Sequence, residues 1–227
     1  PVSNPQAMAE AIESLIVNNA LKQHIINIAR ERVNQYFSVA VMAKRHEDMY
    51  LSVVSRRMIP KVLYIIDNLA FGGAQRQLIE ILKGRKTIGI DPDLCSLSGD
   101  NNELLPEFEK INVKVTVIKH KGFFSLPTLM RLYMLMRKNK YDIVNTYLFT
   151  ADFYGRLAAK LASVPVVISS VRSTDLLKEK HKVLVDRLLA LLTDRFITNS
   201  IAVKEIIVAR EKIPSFNIGD EVDVKID

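Results

Sequence analysis

Two adjacent glycines, Gly72 and Gly73, stand where an apolar run, Val62 to Ile66, gives way to a helical pattern through Ala74, Gln75 and Arg76. A strand that turns through glycine into a helix leaves the first-turn amides without partners inside the helix. With the macrodipole, those amides favour a phosphate or carboxylate. The spacing matches neither the dinucleotide fingerprint nor the P-loop, so from the residues alone a plain strand-to-helix turn reads equally well. Asp91-Pro92-Asp93 pairs two carboxylates, but without further ligands they make a poor magnesium or manganese site, and the proline favours a turn. His24, His46, His120 and His181 show no ligand spacing, and only His120, after an apolar run, stands where a ligand could reach it. No metal is expected. Cys95 lies within an apolar run and reads as inert, and no glycine-flanked serine suggests a nucleophile.

The elements that must position these residues change character near Met58. Before it the chain reads as helix throughout. Met8, Ala11, Ile12, Leu15 and Ile16 recur at helical spacing after Asn4 as N-cap and Pro5 at the first helical position. A second helix carries Leu21, Ile25, Ile28, Ala29 and Val33. A third, capped by Ser38, carries Val39, Met42, His46, Met49 and Val53. Three thin stripes make a poor core by themselves and must dock on something.

After Met58, strands and helices alternate. The predicted strands are Val62 to Ile66, Asp93 to Leu97, Val113 to Ile118, Ile143 to Thr146, Val166 to Val171 and Phe196 to Thr198. Predicted helices run over 73–83, 102–110, 126–138, 151–161, 180–192 and 201–210, with Ser125, Thr150 and Ser200 as caps. Six such alternations imply an α/β fold, a doubly wound and mostly parallel sheet, with the N-terminal helical segment docked on it. Residues 1–57 form the helical segment, 58–217 the sheet domain and 218–227 a tail. In such sheets ligands bind beyond the carboxyl ends of the strands, which directs attention to 68–73, 119–125, 147–150 and 172–180.

A chain with 48% hydrophobic residues can bury a sizeable core. Its net charge of +7 comes from basic residues scattered through presumed helices, which read as solvated faces rather than a nucleic-acid platform. A single cysteine suits a reducing compartment. No apolar run approaches the roughly 20 residues needed to span a bilayer, and the N-terminus lacks a signal-peptide pattern. The expectation is a cytoplasmic protein, with peripheral membrane contact left open.

Four segments in order resemble the N-terminal half of family 4 glycosyltransferases, retaining enzymes of the GT-B fold. They are the first strand with Gly72-Gly73-Ala74-Gln75-Arg76, then Tyr141-Asp142-Ile143-Val144-Asn145-Thr146-Tyr147, then Gly155-Arg156-Leu157-Ala158-Ala159-Lys160 with Val164-Pro165-Val166-Val167-Ile168-Ser169, and finally Asp194 to Ser200. The opening helices resemble the same family in the wrong place: Asn4 to Ile12 and Ala29 to Ser38 look like the helices that end such an enzyme. This suggests a permuted order, with the terminal helices placed before the N-terminal domain.

The resemblance implies transfer of a sugar from a nucleotide-sugar donor to an acceptor glycan or lipid-linked glycan, with no nucleic acid as partner. It also implies no cofactor beyond the donor and no catalytic residue within this half. The donor-holding domain, with its pair of glutamates, finds no match, so this chain is expected to be the acceptor half and inactive without the rest. The substrate-binding residues so implied are Gly72, Gly73, Ala74, Arg76, Asn145, Tyr147 and Arg172. Gln75 stands where the family usually has glutamate, and Asn145 and Tyr147 stand where many members carry histidine, which leaves hydrogen bonding to a sugar rather than proton transfer. Arg172, with Ser173 and Asp175 beside it, would meet an anionic acceptor or donor phosphate. The competing reading is a non-catalytic α/β binding module for an anionic ligand or a complementing protein domain.

Overall fold

The computed structural model describes residues 4–53, 59–120, 124–172, 180–211 and 218–220. Three helices come first: α1 (Pro5–Val17), α2 (Asn19–Arg32), a π-helical turn at Val33–Phe37, and α3 (Val39–Val53). Asn4 caps α1 through Ala7 N, with Pro5 in the first turn as expected. The rest alternates: β1 (Lys61–Ile66), α4 (Gly73–Lys83), a short α5 (Arg85–Ile88), β2 (Asp91–Ser96), α6 (Leu105–Lys110), β3 (Lys114–Val117), α7 (Leu126–Asn139) and β4 (Ile143–Tyr147). It continues with α8 (Phe149–Leu161), β5 (Val166–Val171), α9 (Lys180–Ala190), β6 (Arg195–Thr198), α10 (Ile201–Glu211) and β7 (Ile218–Asp220).

All six predicted strands form, in a fully parallel sheet of order β3-β2-β1-β4-β5-β6-β7. The sheet extends one strand further than expected, because Ile218–Asp220, in the segment assigned to a tail, pairs with Phe196–Thr198. The order reverses between β1 and β4. Right-handed crossovers then send helices to opposite faces on either side of that point. One core accordingly joins Val62, Tyr64, Ile66, Ile143 and Ile168 to α4, α5 and α6. The other joins Leu63, Ile65, Val144 and Val167 to α7 and α8. At Gly155 α8 lies so close to the sheet that a Cβ there would run into the Thr146 methyl.

Past the reversal α8 sits on the second face, so the first face of β4 and β5 needs another cover. Helix α3 supplies it. Ala43 and Tyr50 are buried in the first core, and Met42 and Met49 pack against it. The contact includes a buried polar chain: the Tyr50 and Tyr64 hydroxyls lie 2.6 Å apart, Asn145 Nδ2 donates to Tyr50 Oη at 3.1 Å, and Ser170 Oγ donates to Asn145 Oδ1 at 2.8 Å. Burial raises the Tyr64 phenol well above its ordinary range, so it stays neutral.

The expectation that the whole helical segment docks holds for α3 alone. Helices α1 and α2 bury no residue, and Met8, Ile12, Ile16, Ile25 and Ile28 remain exposed.

Replacing Tyr50 by Phe should cost about 1–3 kcal/mol in urea unfolding, because it strands the Asn145 amide and the Tyr64 hydroxyl without their partner. The double change Met42→Asp and Met49→Asp should lower the melting temperature further, and an unchanged value would show that α3 does not dock.

Candidate active-site cleft

The reversal between β1 and β4 opens a crevice at the carboxyl ends of the strands, bounded by the β1–α4 turn on one side and the β4–α8 turn on the other. Gly72 is the N-cap of α4 in extended backbone and supplies no side-chain cap. Gln75, one turn in, is buried and folds back so that its Nε2 donates to Asn68 Oδ1 at 3.1 Å and lies 3.3 Å from Asn68 O. A Cβ at Gly72 would press on the end of the Gln75 side chain, which would have to turn away from its present place. A Cβ at Gly73 would meet nothing within 4 Å. The first turn of α4 therefore faces open space, free of side-chain caps, and Arg76 lies exposed beside it with its guanidinium 5.7 Å from the centre of the Phe71 ring.

The opposite wall is built differently. Thr150, the expected cap of α8, is instead inside the helix, and Asp67 from the end of β1 takes the capping role. Its carboxylate accepts from Ala151 N at 2.6 Å and Thr150 N at 3.2 Å. This fills the α8 terminus with the protein's own anion. It also holds Leu148 in a left-handed conformation, φ 72°, that a branched side chain rarely adopts. Burial pushes the Asp67 carboxyl up from 3.8 to about 6, against the downward pull of the two amides. Asp67 escaped the sequence reading because it looked like the polar end of an apolar strand; its partners are 83 and 84 residues away.

Gly72, Gly73, Ala74 and Arg76 lie together at the rim. Arg172 ends β5 two strands from β1, and its Nη2 donates to Tyr147 Oη at 3.1 Å, with the guanidinium 4.9 Å from the Tyr147 ring centre. Asn145 and Tyr147 need correction. Both are fully buried, because odd positions of β4 point to the face covered by α3, and the Asn145 amide is bonded on both sides within the core. From within the core, Tyr147 supports Arg172 at the rim. Ser173 and Asp175 lie outside the described residues, as does the His181 side chain.

On the other face, Arg156 and Asp152 form a buried ion pair at 2.8 Å, tied to β5 through Ser169 Oγ and to β4 through Thr146. The arginine of that motif clamps α8 to the sheet. His46 Nδ1 lies within hydrogen-bond distance of Met42 O at 2.9 Å, and the His120 ring lies tilted against Tyr154 at 4.8 Å between centroids. Asp93 accepts from the Tyr141 hydroxyl at 2.5 Å, so that carboxylate already has a partner within the fold. Burial pushes the Cys95 thiol up to about 12, which keeps it protonated and unreactive.

With this geometry in place, the comparisons with known proteins are specific. Residues 71–218 match the profile of Glycosyltransferase Family 4. Over 90 residues the chain is 31% identical to an Escherichia coli UDP-Gal:alpha-D-GlcNAc-diphosphoundecaprenol alpha-1,3-galactosyltransferase, a stretch covering 39% of this chain and 23% of that one. Among solved structures, Anabaena HepE in complex with UDP and glucose superposes with a TM-score of 0.61 at 16% identity, over 71% of this chain and 44% of that one. The lipopolysaccharide outer core galactosyltransferase WaaB gives 0.57 at 16% identity, over 70% and 44%. The chain thus spans less than half of these relatives, and the likeness to the solved structures is one of fold.

Because its folded pKa is raised, Asp67 binds its proton more tightly in the folded chain than in the unfolded one between about pH 4 and about pH 6. Its contribution to stability therefore falls as pH rises through that window and is level above it. Unfolding midpoints of the native protein and Asp67→Asn, compared across pH, should differ by such a slope. Asp67→Ala should cost about 1 kcal/mol or more at neutral pH by removing the α8 cap.

Proposed function

Since this chain belongs to Glycosyltransferase Family 4, we propose that it is the acceptor-binding half of a retaining enzyme that moves a sugar from a nucleotide-sugar donor to an acceptor hydroxyl. The observation that carries this reading is the uncapped first turn of α4, facing open space at Gly73 beside the strand-order reversal. Unpaired amides and an exposed Arg76 offer hydrogen bonds and positive charge to a phosphate or a sugar oxygen. Arg172, held in place by Tyr147, offers a second cation on the same rim.

In this mechanism the chain binds and orients the acceptor, converting an encounter into a positioned attack. Stabilisation of the departing nucleotide falls to the donor domain of the complete enzyme, whose counterpart this chain does not match. The E. coli relative acts, by its name, on a sugar linked through diphosphate to undecaprenol. An acceptor of that kind, a glycan on a lipid diphosphate, suits a rim lined by Arg76 and Arg172. Helices α1 to α3 lie before the family match, and the permuted order remains our reading of them.

Calorimetric titration with UDP, GDP and their sugar conjugates tests the proposal. Saturable binding to the native chain that disappears in Gly73→Trp would place a usable phosphate site at α4. Absence of binding would leave an acceptor half that needs its partner domain. The purified chain is expected to show no sugar transfer by itself, and detectable turnover would overturn the half-enzyme reading.

A further inference from the structure

Helices α1 and α2 run 13 and 14 residues and bury none of them. They are joined through the single residue Asn18, which closes α1 by donating its N–H to Ser14 O at 2.9 Å and opens α2 by accepting from Leu21 N at 3.0 Å. Helices of that length hold poorly in water without a surface to pack on. Each nevertheless carries an apolar stripe at helical spacing, Met8, Ile12 and Ile16 on α1 and Leu21, Ile25 and Ile28 on α2, between 37% and 75% exposed.

The two stripes match each other. Laid antiparallel, with the end of α1 against the start of α2, Met8 falls opposite Ile28, Ile12 opposite Ile25 and Ile16 opposite Leu21, three apolar layers in one register. The same register sets Glu13 opposite Lys22, both exposed beside the stripes. The helices are also opposite in sign: α1 carries Glu10 and Glu13 and no base, whereas α2 carries Lys22, Arg30 and Arg32 against Glu31 alone. Within one chain the match goes unused, since all six apolar side chains stay exposed.

We propose that a second copy of the chain uses it: two copies associate about a two-fold axis, with α1 of each lying antiparallel against α2 of the other. The axis repeats every contact, so each apolar layer and the Glu13–Lys22 pair occur twice, and burying the stripes supplies the packing that the helices lack alone. The opposite charges select this occupant. A uniformly acidic or basic partner would be attracted by one helix and repelled by the other, whereas a second copy presents each helix with its complement. The surface lies in the residues before the family match, and the association goes beyond the transferase reading without depending on it.

Sedimentation velocity on the whole chain tests this across a concentration series. The native chain should shift from monomer to dimer as concentration rises, with no larger species. Ile12→Glu with Ile25→Glu should weaken the dimer by about a hundredfold or more, while the sheet domain still unfolds cooperatively because neither side chain belongs to its cores. Glu13→Lys alone, or Lys22→Glu alone, should weaken it about three- to tenfold by setting like charges opposite. Mixed in equal amounts, these two variants should associate as well as the native chain does, because each meets its complement in both contacts; a pairing inside one chain could not be rescued in that way. The proposal is overturned if the native chain stays monomeric up to millimolar concentration, if the isoleucine variant dimerises as well as the native chain, or if mixing the two charge variants restores nothing.

Discussion

A parallel sheet buries both faces, and the rest of this structure follows from how the second half of its first face is covered. The crossovers place α4 to α6 on the first face, and α7 and α8 on the second. Strands β4 and β5 would be left bare on the first face if α3 did not lie there. The hydrogen-bonded chain from Tyr64 through Tyr50 and Asn145 to Ser170 ties α3 to the sheet, since an unpaired polar group at that depth is costly.

The same reversal makes the cleft, and its two walls have been put to opposite uses. On one wall Asp67 fills the α8 terminus with an internal carboxylate, which ties β1 to β4 and holds the strained turn at Leu148. On the other, Gln75 folds inward onto Asn68 and leaves the α4 amides facing outward. A helix terminus already holding a carboxylate has no use for a ligand phosphate, whereas an uncapped one does. The asymmetry directs any anion to the α4 side of the crevice.

Arg156 and Arg172 show how little residue type says about role. Arg156 lies within α8 and Arg172 just past the end of β5, both inside the stretch that matches the family profile. Arg156 is buried against Asp152 and Ser169 and holds α8 to the sheet, while Arg172 reaches the rim because Tyr147 beneath it supports the guanidinium. The outward stripes of α1 and α2 belong to no core, although their spacing alone reads like that of α3.

Apolar runs and helical spacing, both local properties, were enough to reveal six of the seven strands among the described residues, their alternation with helices, the caps at Asn4, Ser125 and Ser200, and the glycine pair before α4. The seventh strand escaped because three residues carry no period. Asp67 as the α8 cap, Tyr50 as the partner of Asn145, and the burial of Asn145 and Tyr147 depend on residues brought together from distant parts of the chain. The two-residue period of a strand puts Asn145 and Tyr147 on one face of β4, but it does not say which face α3 would cover. That was decided in three dimensions, because the direction of each crossover, and with it the bare half of the sheet, exists only after the strands have taken their order.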